Sequence, residues 1–130
     1  MRGRRLAWPV AVLCGAVLAA GACQRRQDAK TAATTLTGGD PERGRSAIGK
    51  YGCGGCHTIP GVDGANATVG PPLNNIASRA VLGGHLSNSP DNMKLWIQKP
   101  QQIDPKNVMP DMGVTDQDAK DITAYLYTLK

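Results

Sequence analysis

The densest group of reactive side chains in this sequence lies at residues 53–57, which read Cys-Gly-Gly-Cys-His. Two thiols separated by two residues and followed by an imidazole fit three kinds of chemistry. They could form half of a zinc site, a redox-active dithiol, or the covalent attachment point of a haem. Each of the three needs different surroundings, so the rest of the chain has to discriminate between them.

The surroundings of the motif favour haem attachment. A structural zinc site needs four ligands, and beyond the motif residues 40–130 offer only His85 and carboxylates. A thioredoxin-like dithiol needs a strand before the motif, and no segment alternates as a strand should. Haem attachment needs two thiols that add to vinyl groups and an adjacent histidine that binds iron. The motif therefore predicts thioether bonds at Cys53 and Cys56, with His57 as the proximal iron ligand.

The sixth iron ligand has four candidates in the sequence, namely Met93, Met109, Met112 and His85. Met93 belongs to an apolar helical stripe, which favours core packing. His85 lies in a Gly-rich loop and is interpreted as solvated, with bis-histidine ligation as an alternative. Met109 and Met112 share one loop, and Met109 is preferred because Pro110 fixes the chain directly after it.

Three helices are predicted from their start signals, which are Asp40-Pro41, Ser89-Pro90 and a capping box that begins at Thr115. A shorter helical stretch is predicted around residues 73–80. The predicted class is all-α, with three to four helices and long loops rich in Gly, Pro and Asn. Long ordered loops usually have a function or a ligand that orders them. The sequence also contains no Phe to fill a core. We expect the loops to wrap around one haem, which would fill the centre of the domain.

The N-terminal part predicts export from the cytoplasm. Residues 1–22 combine a basic start with an apolar run that ends in small residues, which is typical of a signal peptide. The stretch "AAGAC" resembles the lipobox of bacterial lipoproteins and implies lipidation of Cys23; an ordinary cleavage site is the alternative. Residues 23–39 are predicted to be a flexible linker, and residues 40–130 to be the folded domain. We expect the protein at the periplasmic face of the inner membrane or at the outer cell-membrane surface, held by a lipid anchor.

The charge of the chain gives little information about its partners. The formal net charge of +5 falls to +2 when the three arginines Arg2, Arg4 and Arg5 are removed with the signal peptide. The two arginines Arg25 and Arg26 next to Cys23 would favour an anionic lipid surface. Nothing in the sequence indicates nucleic-acid binding.

Residues 40–130 resemble the class I c-type cytochromes. The stretches "CGGCH", "GPPL", "NVMPDMG" and "ITAYLYTL" occur in the order of that family. The resemblance implies the class I cytochrome c fold, one covalent haem c per chain, and Met109 as the axial partner of His57. It also implies that Pro71 accepts a hydrogen bond from His57, that Arg79 pairs with a haem propionate, that Trp96 packs on the haem, and that Asn107 contacts a propionate.

Within that family, the domain looks most like the cytochrome c domain fused to subunit II of some bacterial haem-copper oxidases. The resemblance implies a one-electron carrier rather than an enzyme, with no small-molecule substrate. Its partners would be a respiratory terminal oxidase or a complex of the quinol–cytochrome c reductase type. The alternatives are a haem subunit of another periplasmic redox complex, or a haem sensor or peroxidase with an open iron site.

Overall fold

The computed structural model describes the backbone of residues 8–130 and the side chains of residues 21–130. Helices dominate this part of the chain, so the predicted all-α class is confirmed. The helices are α1 (Trp8–Thr37), α2 (Pro41–Lys50), α3 (Pro90–Gln98), α4 (Pro100–Ile103) and α5 (Asp116–Leu126). Two 3-10 turns at Cys53–Gly55 and Ile76–Ser78 and two short strands, β1 (Val81–Leu82) and β2 (Leu86–Ser87), complete the fold.

The three predicted helix starts are confirmed, because each has the expected capping residue. The side chain of Asp40 accepts hydrogen bonds from two backbone amides of the first turn of α2. Ser89 caps α3 in the same way, and Thr115 caps α5. Proline occupies the first position of α2 and of α3. An amide hydrogen at that position has no acceptor within the helix, so the helix loses no hydrogen bond to proline there.

Helix α1 differs from the sequence prediction. Residues 23–37 were predicted to be part of a flexible linker, and that prediction is wrong because they are helical. Ala33 is only 3% exposed, and Gly39, just after the helix, lies against the backbone carbonyl of Lys120 in α5. This segment has no apolar period that could indicate a helix from sequence. Contact with α5 stabilises it, and that contact is not visible in the local sequence.

The structure also contains two small elements that the sequence did not predict. Strands β1 and β2 pair in an antiparallel ribbon in which Leu82 faces Leu86. Each strand has two residues, which is too short for an alternating pattern to show. Helix α3 ends at Gln98, and Pro100 begins the short helix α4. The predicted helical stretch at residues 73–80 is a single 3-10 turn.

Helices α2 and α5 cross with their backbones in contact at Gly44. A Cβ atom on Gly44 would lie 1.9 Å from the carbonyl oxygen of Asp121. Only glycine allows such a close approach between two helices. The crossing brings Ile48 of α2 and Ile122 of α5 into the core, which also contains Met93 and other buried apolar side chains.

The same crossing contains a buried carboxylate. The side chain of Asp121 is 2% exposed and accepts hydrogen bonds from Arg43 at 2.8 Å and 3.1 Å. The backbone amide of Asp40 and the side chain of Gln117 donate to it as well, at 2.7 Å and 3.0 Å. Burial alone would raise the pKa of Asp121, but these hydrogen bonds outweigh burial and lower it. Asp121 therefore joins the start of α2 to α5 as a charged group.

The predicted signal peptide at residues 1–22 lies almost entirely outside the described side chains and stays a prediction. Among the described residues, no helix combines the length and the apolar character that crossing a membrane requires.

Candidate haem site

One cavity of about 270 Å³ collects every residue that the sequence assigned to haem binding. Apolar core residues form most of its wall, including Ile48, Met93 and Ile122. The predicted haem residues also line it, namely Cys53, Cys56, His57, Pro71, Arg79, Trp96, Asn107 and Met109. Among the described residues that line the cavity, Arg79 is the only one with a permanent charge.

The two thiols reach the cavity from a tight turn just after α2. The 3-10 turn Cys53–Gly55 places Cys53 and Cys56 three residues apart on the cavity wall. Both are free thiols rather than a disulfide. Burial raises the pKa of the Cys53 thiol, so it is uncharged at neutral pH. The pair is thus available for two separate bonds to one ligand.

The imidazole of His57 is oriented by the loop that follows it. Its Nδ1 atom lies 2.7 Å from the carbonyl oxygen of Pro71. Because a carbonyl can only accept, Nδ1 carries the proton and the lone pair is left on Nε2, where it can bind a metal. The predicted contact between Pro71 and His57 is therefore present.

Gly70 holds this loop close to the ring. A Cβ atom at Gly70 would lie 2.5 Å from Cε1 of His57, closer than any side chain can approach. The amide of Gly70 also donates to the carbonyl of Cys56 at 2.7 Å. The glycine thus packs against the imidazole and ties the loop to the Cys-x-x-Cys-His motif.

The candidate sixth ligands occupy different places. Met109 and Met112 both line the cavity from the loop before α5, and Met112 is 43% exposed. Met93 is 3% exposed and belongs to the core cluster, as its position in a helical stripe predicted. His85 does not line the cavity: its ring stacks on Trp96 with centroids 6.3 Å apart. The position of His85 disfavours bis-histidine ligation. Met93 reaches the cavity wall as a buried core residue of α3, whereas Met109 and Met112 reach it from the loop.

Arg79 and Asn107 are engaged with the backbone of the cavity wall. The guanidinium of Arg79 donates to the carbonyls of Pro72 and Asn74, the latter at 3.0 Å. The side-chain oxygen of Asn107 accepts from the amide of Met109 at 2.8 Å. These contacts hold both side chains at the cavity. Their pairing with haem propionates stays a prediction, as does the packing of Trp96 on the haem.

Two residues that support the site were not found from the sequence. The side chain of Gln101 donates to the carbonyl of Met109, and the side chain of Asn88 donates to the carbonyls of Ile76 and Arg79 at 2.8 Å each. Both act on backbone atoms that are several residues away. No composition or spacing signal marks such contacts, because any polar side chain at these positions would look like a surface residue.

Comparison with known proteins identifies the class. The profile of the family described as "Cytochrome c" matches residues 41–130. The chain therefore belongs to the cytochrome c family, whose members transfer electrons with covalently bound haem c. The predicted class I c-type cytochrome fold is confirmed by this match.

Two curated relatives are each similar to about two thirds of the chain. The chain is 36% identical over 91 residues to cytochrome c oxidase subunit 2 of Alkalihalophilus pseudofirmus. It is 30% identical over 88 residues to cytochrome c oxidase subunit 2 of Bacillus sp. (strain PS3). These alignments cover 68% and 65% of this chain. The chain spans only a quarter of the length of each relative, 25% in both cases. No solved structure gives a significant match.

The residues at the cavity fit a covalent haem. The wall is apolar, as the faces of a porphyrin require, and the guanidinium of Arg79 suits a ligand with acidic substituents. Two free thiols and one oriented imidazole provide two attachment points and a nitrogen ligand. When bound, haem c supplies an iron that alternates between the ferrous and ferric states.

Proposed function

We propose that this protein is a monohaem electron carrier in which Cys53 and Cys56 hold the haem and His57 and Met109 bind its iron. The observation that carries this proposal is the convergence of all eight sequence-assigned haem residues on one cavity. With both axial positions filled by the protein, no site is left at iron for a substrate. A neutral thioether ligand favours ferrous iron and raises the reduction potential, which suits a carrier in a respiratory chain.

The test is the absorption spectrum of the haem-loaded protein. Ferric iron bound to a methionine sulfur gives a weak far-red band. We expect the wild-type protein to show this band, Met109→Ala to lose it, and Met112→Ala to keep it. Met112 is a matched control because it lines the same cavity from the same loop. A wild-type protein without the band, whose ferrous form takes up carbon monoxide, would instead support a sensor or peroxidase.

We further propose that the electron acceptor is a respiratory terminal oxidase. This rests on the two similar relatives, both named cytochrome c oxidase subunit 2. The rim of the cavity supports it, because Val69 is 74% and Val108 88% exposed, and together with Met112 they form an apolar edge. Such an edge suits brief docking with a partner over a small interface. Rapid oxidation of the ferrous protein by oxidase-containing membranes, slowed by Val108→Glu, would support this acceptor; oxidation at the same rate by membranes without the oxidase would contradict it.

We also propose that the chain is exported and anchored through a lipid on Cys23. The support is the signal-like sequence of residues 1–22 and the exposed position of Cys23 on α1. A lipid anchor would raise the effective concentration of the carrier near a membrane-bound partner. Mass spectrometry of the mature N-terminus tests the idea. Lipidation predicts an acylated Cys23 and release of Cys23→Ala into the soluble fraction, whereas an unmodified N-terminus would contradict it.

A further inference from the structure

The loop that carries Met109, residues 104–114, has an unusual set of attachments. Its backbone makes a turn in which the amide of Asn107 donates to the carbonyl of Asp104 at 3.0 Å. Among the described residues, the amides and carbonyls of positions 108–114 form no hydrogen bond with another backbone group. Side chains must therefore fix this loop in place, since secondary structure does not.

The end of α3 and the start of α4 provide these side chains. Three of their residues reach across to the loop, and we call them the side-chain clamp. The contacts are Gln98 to the carbonyl of Val114 at 3.2 Å, Lys99 to the carboxylate of Asp111 at 2.9 Å, and Gln101 to the carbonyl of Met109. The two segments run in opposite directions, so each successive clamp residue holds a position nearer to the start of the loop.

Met109 is held at both of its backbone polar groups. Its amide donates to the side chain of Asn107 at 2.8 Å, and its carbonyl accepts from the side chain of Gln101. Asn107 lies within the loop and moves with it, whereas Gln101 is half-buried on α4. Gln101 is therefore the contact that ties the backbone of Met109 to the rest of the domain.

We propose that Gln101 is a positioning residue for the sixth iron ligand, and that its hydrogen bond sets how readily Met109 leaves the iron. This inference rests on the proposed ligation by His57 and Met109. The step concerned is a ligand exchange without electron transfer: the bond from iron to the Met109 sulfur breaks, and an external nitrogen donor binds at the same position. Without Gln101, the loop is freer to move away, so the exchange becomes more favourable.

The experiment is a titration of the ferric, haem-loaded protein with imidazole at fixed pH and 25 °C. Binding is measured by the decrease of the far-red band. Gln101→Glu keeps the size of the side chain and replaces its donor with an acceptor that repels the Met109 carbonyl. Gln101→Ala removes the contact altogether. Gln102→Ala is the matched control, because Gln102 is an exposed glutamine next in the chain. Its backbone amide donates to the carbonyl of Lys99, and within the described part of the chain its side chain makes no hydrogen bond.

We expect both Gln101 variants to reach half-saturation at an imidazole concentration about tenfold lower than wild type, which corresponds to about 1.4 kcal/mol. This is the size of effect expected when one hydrogen bond to a partly buried carbonyl is lost. Gln102→Ala should titrate like wild type. A residue that only supports overall stability would lower the melting temperature without making imidazole binding tighter at 25 °C.

The outcomes separate this inference from the proposed function. If wild type shows the far-red band and the Gln101 variants titrate like wild type, the positioning role is refuted and the electron-carrier proposal stands. The same role is refuted if both variants fail to load haem while Gln102→Ala loads it, since Gln101 would then be needed for folding itself. If wild type lacks the band and binds imidazole as tightly as Met109→Ala, the proposed ligation fails, and the inference with it.

Discussion

The contact between α2 and α5 at Gly44 leads to the sharpest stability prediction. In Gly44→Ala, the new Cβ atom would lie 1.9 Å from the carbonyl oxygen and 2.5 Å from the carbonyl carbon of Asp121. These obstacles are backbone atoms of a helix, so no side-chain rotation can relieve the clash. The two helices must move apart by more than 1 Å, to roughly ordinary van der Waals separation, and the packing of the core around Ile48 and Ile122 loosens.

The expected cost follows from two opposing effects. Overpacking a rigid contact costs about 1–3 kcal/mol, and the backbone obstacles place this case at the upper end. Alanine regains about 1 kcal/mol over glycine in a helix. We therefore expect Gly44→Ala to lower the free energy of unfolding by about 2 kcal/mol, which for a domain of this size corresponds to a melting temperature lower by about 8–16 °C.

Gly49 offers a matched control on the same helix. A Cβ atom at Gly49 would meet nothing within 4 Å. Gly49→Ala should therefore stabilise the protein by about 0.5–1 kcal/mol. Both variants would be compared with wild type by denaturant unfolding of the haem-loaded protein, monitored by circular dichroism. If Gly44→Ala were as stable as Gly49→Ala, the backbone contact between α2 and α5 at Gly44 would be refuted.

Two further predictions concern the buried carboxylate and His57, the proposed proximal ligand. Asp121→Asn should lower the stability by about 2 kcal/mol at pH 7, because Arg43 loses a charged acceptor. Since the folded pKa of Asp121 is lowered, its stabilisation is complete above the unfolded value near 4 and is lost as the pH falls through the folded value. Thermal melts from pH 7 to pH 2 should therefore show the gap between variant and wild type closing only in acid; a gap independent of pH would refute the charged state. Gly70→Ala should displace the imidazole of His57, weaken the hydrogen bond at Nδ1 and raise the reduction potential by about 30 mV, a threefold change in equilibrium constant. Gly55→Ala, whose Cβ atom would meet nothing within 4 Å, should leave the potential unchanged in the same redox titration.

The sequence predicted the parts of this fold that depend on local signals. Helix starts at Asp40, Ser89 and Thr115 could be located because a capping side chain acts within three residues of itself. Helix α1 was missed because it is stabilised by contact with α5, which lies about eighty residues further along the chain. The ribbon of β1 and β2 was missed because two residues carry no period.

The sequence likewise predicted one part of the candidate site and missed another. The Cys-x-x-Cys-His spacing and the resemblance to a known family identified eight of the residues that line the cavity. They could not identify how those residues are held. Gln101 acts through a backbone carbonyl and leaves no pattern in composition or spacing. Gly70 stands in the stretch "GPPL", but that stretch does not indicate that the absence of a side chain is needed next to His57. Asn107 was predicted from the family resemblance to contact a haem propionate. In the structure its side-chain oxygen accepts a hydrogen bond from the amide of Met109.

The continuous helix α1 makes the segment before the domain sensitive to helical phase. From Cys23 to Thr37 it extends about 21 Å, at about 1.5 Å and 100° per residue. Inserting two residues in this stretch would rotate whatever is attached at Cys23 by about 200° relative to the domain. Inserting seven residues would add about 10 Å and restore the original facing to within about 20°. In a flexible chain, only the number of added residues would matter. In this helix, each added residue also turns the haem cavity by about 100° relative to whatever is attached at Cys23.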